Sequence, residues 1–362
     1  MKIPKLKIGD IQVNIPIIQG AMGVGVSGPN LAAAVANAGG IGVLSGVGIG
    51  YTESDYNKNP KKADLRALIN KIRTTKKLAP KGFIGINFLV AMNNYAEMVK
   101  TAVSEGIDLI ISGAGLPTQL PKLTKGTNIK LAPIVSSAKA AKVITRYWDK
   151  NYNKIPDMVI VEGTEAGGHL GFKEDILKAE VKPNLTEIVK QVITTLKPFE
   201  QKYNTKIPVI AAGGVFTGED IAKQLQAGAS GVQMATRFVV TEECDADQAY
   251  KDAYLSANKE DIKIIKSPVG LPGRALNNSF IKKIAIEGDL ISKCSQCLQG
   301  CNPLKAPYCI SKALINAVKG DIDKGLIFVG SNAYKLKKMT TVPELLKELM
   351  QETRLALKNL NL

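Results

Sequence analysis

A single histidine and a single tryptophan stand in 362 residues, and Phe, Trp and Tyr together make up only 5% of the chain. One histidine cannot build a zinc site from imidazoles alone, and no Ser-His-Asp order is legible around it. No run of about 18 apolar residues occurs, so no segment reads as a membrane-spanning helix. Blocks of like charge are also missing, although Lys and Arg outnumber Asp and Glu by 48 to 32, a net charge of +16. The densest basic cluster, Lys335, Lys337 and Lys338, is too short for a nucleic-acid arm and has no tyrosines interleaved with it. The positive excess therefore reads as lysine spread over helix surfaces, with an anionic protein partner as the sharper alternative. Neither nucleic acid nor a membrane is expected as a partner. A secretory leader is not legible either, because the apolar run after Lys7 is broken by Gly9, Asp10, Gln12 and Asn14. Five cysteines, four of them crowded between Cys294 and Cys309, do not form the spacing of a secreted disulfide framework. A cytoplasmic protein with reduced thiols is the expectation.

What is present is an apolar fraction of 45% and 33 glycines, enough for a large core with tight turns and close backbone approach to a ligand. Strand-length apolar runs alternate with longer amphipathic stretches. The runs are Ile15–Ile18, Ile41–Leu44, Phe83–Phe88, Leu109–Ser112, Lys130–Val135, Met158–Val161, Pro208–Ala211 and Gly231–Met234. Helix-like sequence follows each of them, as at Asn30–Ala38, Ala63–Leu78, Tyr95–Glu105, Ala138–Trp148, Leu185–Phe199 and Glu219–Ala227. Eight evenly spaced units favour an α/β fold of the (β/α)8 TIM-barrel type over an open doubly wound sheet. The late helix after the sixth strand marks Leu170–Pro183 as a functional loop. The alternation stops after Arg237. Residues 1–240 are read as the main part of the barrel, 241–323 as an inserted lid after strand eight, and 324–362 as a segment closing the barrel with the helix Val342–Lys358.

Two loops carry the first functional clue. Ala211-Ala-Gly-Gly-Val215 follows the seventh strand and Gln233-Met-Ala-Thr-Arg237 the eighth, the serial positions where barrels hold phosphate. Gly213 and Gly214 let backbone amides approach an oxyanion, Thr236 offers a hydroxyl and Arg237 a charge, so a phosphorylated ligand is expected, a flavin mononucleotide among the candidates. His169 ends the loop after the sixth strand, on the catalytic side of a barrel, and an imidazole there suits proton transfer. Glu162 and Glu165 flank the same loop, as orienting partners or as solvated carboxylates.

Five motifs in order, Pro16-Ile-Ile-Gln-Gly-Ala-Met-Gly23, Gly85-Ile-Asn-Phe88, Glu162-Gly-Thr-Glu-Ala-Gly-Gly-His169, Ala211-Ala-Gly-Gly-Val215 and Gln233-Met-Ala-Thr-Arg-Phe238, resemble the nitronate monooxygenase (2-nitropropane dioxygenase) family. They are also similar to its sister group, the flavin-dependent enoyl-ACP reductase II enzymes. The resemblance covers residues 10–240, and more loosely Gly325–Tyr334. It implies a barrel that binds FMN without a covalent bond, with Ala21, Met22 and Gly23 along the isoalloxazine and Asn87 hydrogen-bonded to it. Gly167, Gly214, Gln233, Met234, Ala235 and Thr236 would hold the cofactor and its phosphate, and His169 matches the family's catalytic histidine. Glu162, counted with the cofactor contacts, stands where the monooxygenases usually carry Gln and is closer to the reductase pattern. Ala132-Pro-Ile-Val-Ser136 also reads toward the reductases, and Ala235 replaces a common Gly. The implied activity is oxidation of alkyl nitronates with O2. The alternative is an NAD(P)H-dependent reductase acting on an enoyl thioester, on an acidic acyl carrier protein, or on quinones or flavins. A non-enzymatic flavin scaffold ranks below both, and a homodimer is expected.

One segment fits neither pattern. Cys294-x2-Cys297-x3-Cys301-x7-Cys309 has a spacing suited to zinc or an iron–sulfur cluster, similar to cluster ligation in dienoyl-CoA reductases apart from the last gap. Buried apolar thiols or a redox pair are the competing readings, and Cys244 is read as structural.

Overall fold

Parallel strands that are apolar on both faces need a helical layer outside and a packed interior, and both are found in the computed structural model, which describes residues 3–289, 291 and 294–359. A hairpin of β1 (Leu6–Ile8) and β2 (Ile11–Val13) comes first. Then follow β3 (Ile17–Gln19), α1 (Pro29–Asn37), β4 (Gly42–Ser45), α2 (Pro60–Leu78), β5 (Ile84–Leu89) and α3 (Tyr95–Ser104). The next units are β6 (Leu109–Gly113), α4 (Leu120–Leu123), β7 (Lys130–Val135), α5 (Ala138–Tyr152) and β8 (Val159–Glu162). Past β8 come the two-residue β9 (Gly168–His169), α6 (Glu174–Lys178), α7 (Leu185–Tyr203), β10 (Val209–Ala212), α8 (Gly218–Gln226), β11 (Gly231–Met234) and α9 (Thr236–Val239). The remainder holds α10 (Gln248–Leu255), β12 (Ile262–Lys266), β13 (Pro272–Leu276), α11 (Ser279–Ile286), α12 (Ile310–Val318) and α13 (Val342–Asn359).

Eight strands pair in the order β3-β11-β10-β8-β7-β6-β5-β4, and a parallel bridge between Ile18 and Ile41 joins the two ends. This is the expected (β/α)8 barrel. Strand periodicity assigns every side chain to one of two layers. Ile18, Val43, Ile111, Ile160 and Ile210 point into the barrel and form one cluster with Leu6, Ile8 and Val13, so the N-terminal hairpin packs against the interior as a stopper. Ile17, Leu44, Ile86, Val161 and Val232 point outward to the helices. Local signals fix the helix starts: Ser137 and Asn184 cap α5 and α7, and Thr217 with Asp220 forms a capping box on α8. The last helix, α13, closes on α8, where Gly218 N donates to Glu352 Oε2 at 2.7 Å.

Beyond α9 the chain returns over the C-terminal mouth of the barrel. β12 and β13 form an antiparallel hairpin, and β13 also pairs with β9, matching Gly273 to His169 and Arg274 to Gly168. Leu298 bridges to Met92, and Gln299 N donates to Ala91 O at 2.8 Å, stitching the cysteine-rich stretch to the loop after β5. The loop expected over Leu170–Pro183 contains α6.

Gly42 marks the tightest contact between the two layers, since a Cβ there would lie 1.8 Å from the Ala32 carbonyl oxygen, a backbone atom of α1. Gly42→Ala should therefore destabilise the fold by about 3 kcal/mol through overpacking. A thermal melt shows it as a clear drop in Tm, and an unchanged Tm would contradict this packing.

Candidate active site

The inward-pointing residue at the top of each strand is where the barrel stops being apolar. In β8, Ile160 points in, Val161 out, and Glu162 in again. The same alternation aims Ser45, Asn87 and Gln233 at the mouth, with the small Gly113 filling in between. These five residues line a cavity of about 390 Å³. The loop after β3 adds Ala21, Met22 and Gly23 to its wall. That loop is held from inside: Gln19 Nε2 donates to Ser27 Oγ at 2.9 Å, and Ser27 Oγ accepts from Met22 N at 2.8 Å.

One corner is built for close backbone approach. Gly167, Ala235, Thr236 and Gly330 all face it. A Cβ at Gly330 would lie 2.6 Å from Thr236 Oγ1, and one at Gly167 would lie 2.6 Å from the Val329 carbonyl carbon. Asn332 Nδ2 donates to Gly214 O at 2.9 Å, drawing the Gly-rich turn at 330 against the loop after β10. Gly213 and Gly214, at φ of +90° and +83°, turn that loop so that it backs onto Ala166 and Glu165, beside the cavity wall. Met234 is also off the wall: by strand parity its side chain points outward into the helical layer, while its neighbour Gln233 points in. The charge expected from Arg237 is absent from this corner, because its guanidinium is drawn away to Glu348 Oε1 at 2.7 Å and to the Phe216 carbonyl at 3.0 Å.

His169 lines the same cavity. As a residue of β9 it is fixed by the lid hairpin, with Leu170 N donating to Pro272 O at 2.9 Å. Neither expected glutamate orients the imidazole. Its Nε2 lies 2.7 Å from Ser267 Oγ, in the turn between β12 and β13, and its ring packs edge-on against Phe328 at 4.9 Å between centroids. Tyr254, buried at 3% exposure, donates its hydroxyl to the Phe328 carbonyl. Glu165 is engaged by Lys182 at 3.2 Å. Burial alone would raise the Glu165 carboxyl, but Ser331, Arg274 and Lys182 together bring it below its ordinary value. Arg274, 3% exposed, donates to the Ala166 carbonyl and carries the one buried cation that Glu162 and Glu165 both feel. Ser267, Phe328 and Arg274 lay outside the sequence expectations. The only signals were the turn residues Pro268, Gly270, Pro272 and Gly273, and the Gly-rich stretch at 325–330.

Burial sets His169 and Glu162 to their uncharged forms near neutral pH. It pushes His169 down from 6.5 to about 4, and it pushes Glu162 up from 4.5 to about 8 against the opposing pull of Arg274. A flavin fits this donor set. The buried Gln233 Oε1 has no hydrogen-bond partner among the described residues and awaits a donor, and the glycine-lined corner suits a phosphate beside Thr236.

Cys294, Cys297, Cys301 and Cys309, the expected metal ligands, are free thiols in the structure. Among the described residues, no group of three or more His, Cys, Asp or Glu side chains is placed to hold a metal ion. Cys294 is exposed, whereas Cys297, Cys301 and Cys309 are half-buried, and all remain free thiols. Burial raises the Cys297 and Cys301 thiols, and Cys297 also feels Cys309, Cys301 and Cys294. Cys244 is buried, as expected of a structural thiol.

The sequence model of the family described as Nitronate monooxygenase matches residues 5–352. The chain belongs to the nitronate monooxygenase family. It is thus an oxidoreductase of the FMN type. Among similar proteins, one from Rhodococcus jostii, a (3aS,4S,5R,7aS)-5-hydroxy-7a-methyl-1-oxo-octahydro-1H-indene-4-carboxyl-CoA dehydrogenase, is 29% identical over 280 residues, covering 77% of this chain and 67% of its own. A Staphylococcus saprophyticus protein, named "Probable nitronate monooxygenase", is 29% identical over 310 residues, covering 78% and 81%. The structure of FabK from Thermotoga maritima superposes with a TM-score of 0.74 at 27% identity over 96% of both chains.

The sole histidine makes a direct check available. One imidazole resonance is expected by NMR, and it should not titrate between about pH 5 and pH 9. A midpoint near the ordinary histidine value would mean that the ring is solvated and that the packing of Phe328 and the lid hairpin over it is wrong.

Proposed function

We propose that the protein is an FMN-dependent nitronate monooxygenase that oxidises alkyl nitronates with O2, with His169 as its catalytic residue. The carrying observation is His169 set into the wall of the cavity that Ala21, Met22, Asn87, Glu162 and Gln233 also line. Ala21, Met22, Gly23, Asn87, Glu162 and Gln233 would hold the flavin ring. Gly167, Gly213, Gly214, Met234, Ala235 and Thr236 would hold its ribityl phosphate end, Gly213, Gly214 and Met234 through backbone rather than side chain. When bound, the flavin supplies the electron transfer between substrate and O2.

The protein's own part is protonic and electrostatic. The Nε2 of His169 is occupied by Ser267, whose Oγ already accepts from Val269 N at 3.4 Å. With the ring proton on Nε2, the tautomer this reading requires, Ser267 Oγ accepts it and Nδ1 is left as the basic nitrogen. It can take the Cα proton of a neutral nitroalkane and so form the anionic nitronate inside the cavity. A protonated Glu162 does not repel that anion.

The pH signature follows from the two shifts. Because His169 is held below 6.5, its neutral form contributes stability that is complete above that pH and is lost as the pH falls through about 4. Because Glu162 is held above 4.5, its neutral form contributes stability that is complete below that pH and is lost as the pH rises through about 8. In activity, kcat/KM on a neutral nitroalkane should fall on the acid side near 4 and on the alkaline side near 8. Glu162→Gln should remove the alkaline limb and keep the acid one; an alkaline limb that survives would assign it elsewhere. His169→Ala should cost about 10²- to 10⁴-fold on neutral nitroalkanes and far less on preformed nitronates. Equal losses on both would sink the proton-abstracting role.

The similarity to FabK over nearly its full length, together with Glu162, supports a second reading as an NAD(P)H-dependent reductase of enoyl thioesters, quinones or flavins. Anaerobic stopped-flow separates the two. Bleaching of the flavin by a nitronate alone supports the monooxygenase, and rapid bleaching by NADH or NADPH alone supports the reductase.

A further inference from the structure

A second, smaller cavity of about 50 Å³ opens beside the first. His169, Val47, Leu89 and Leu314 line both, so the two spaces meet at the imidazole. We propose that this side chamber seats the unbranched alkyl tail of the substrate, while its reacting carbon lies between His169 and the flavin. The proposal rests on the flavin-enzyme reading above and adds a substrate class to it: straight-chain rather than ring-bearing or branched compounds.

Three observations carry it. The first is the chemistry of the wall, which is contributed mainly by Val24, Met92, Val269, Leu298 and Ile310 together with the shared apolar residues. The second is that two of the polar neighbours, Asp64 and Tyr56, already have partners. Asp64 accepts from Gly50 N at 2.8 Å and is also met by Asn94 and Lys71, and Tyr56 is paired with Ser311. An apolar occupant therefore leaves the bonds of Asp64 and Tyr56 intact while it meets the aliphatic wall. The third is size. An apolar cavity of about 150 Å³ takes a benzene ring, so one of about a third that volume admits a slim chain and no ring.

The chamber exists only because the chain after the barrel folds over the mouth. Val269, Leu298, Ile310 and Leu314 come from that part, whereas Val24, Val47 and Met92 come from barrel loops and Leu89 from the end of β5. The Met92–Leu298 bridge and the bond from Asn93 N to Cys297 O at 3.2 Å join the two halves of the wall. The cysteine-rich stretch thus acquires a structural role in substrate selection that needs no metal.

The experiment is a chain-length series on the FMN-loaded enzyme. With nitronates from nitroethane to nitrohexane, kcat/KM should rise about three- to fourfold per added methylene and then level off when the chamber is full. A terminal tert-butyl group should gain nothing. A binding series independent of turnover uses straight-chain carboxylates, butanoate to octanoate, read by the perturbation of the flavin spectrum, and should tighten with the same increment. Leu298→Trp, or Val269→Phe should the first not fold, should flatten both series. If nitronates are not oxidised but carboxylate binding still steepens with length, the monooxygenase reading fails and the chamber stands. A flat carboxylate series in wild-type protein that binds FMN overturns the chamber, and so does a length dependence unchanged in both folded variants.

Discussion

Two residues of β-pairing hold the site together. Gly168 and His169 form a strand only because Arg274 and Gly273 of the lid hairpin lie antiparallel beside them. The imidazole is therefore positioned by backbone hydrogen bonds to a segment about a hundred residues further along the chain, as well as by its own loop. The same pairing carries the Arg274 guanidinium inside, where it ties to the Ala166 carbonyl and lies in the field of Glu162 and Glu165. Burying an arginine is costly unless its donors are met, and such a group specifies one arrangement better than it stabilises the fold. The hairpin also removes water from the imidazole and from Glu162, so one docking event fixes both the geometry and the protonation states of the site.

The barrel supplies the complementary constraint. Its interior is filled with branched apolar side chains up to the last inward position of each strand, and only there do Ser45, Asn87, Glu162 and Gln233 appear. A polar ring on an apolar plug leaves hydrogen-bonding capacity facing one direction. The unpartnered Gln233 Oε1 is the clearest trace of this.

The short continuous apolar runs made the eight strands legible, because a strand buried on both faces leaves little else for such a sequence to become. The histidine and the two glycine loops were legible because their serial position after a strand puts them at one end of a barrel. Other features could not be read this way. Met234 and Gln233 sit side by side in sequence, and only the register of β11 decides which faces the cavity. Arg237 belongs to the expected phosphate loop, yet Glu348 of the last helix claims it, a partner 111 residues away. The hairpin of β12 and β13 is half hidden because Pro268, Gly270 and Pro272 make its turn look like loop. For the four cysteines, spacing alone could not show that Cys297 lines the smaller cavity beside His169.

The stopper formed by Leu6, Ile8 and Val13 has a consequence for traffic. With those side chains packed into the far end of the barrel, nothing enters or leaves along its axis from below. Coenzyme and substrate must share the rim where the β12–β13 hairpin rests. Whichever is seated deepest has to arrive first and depart last, so the architecture itself imposes an order on encounters at the imidazole.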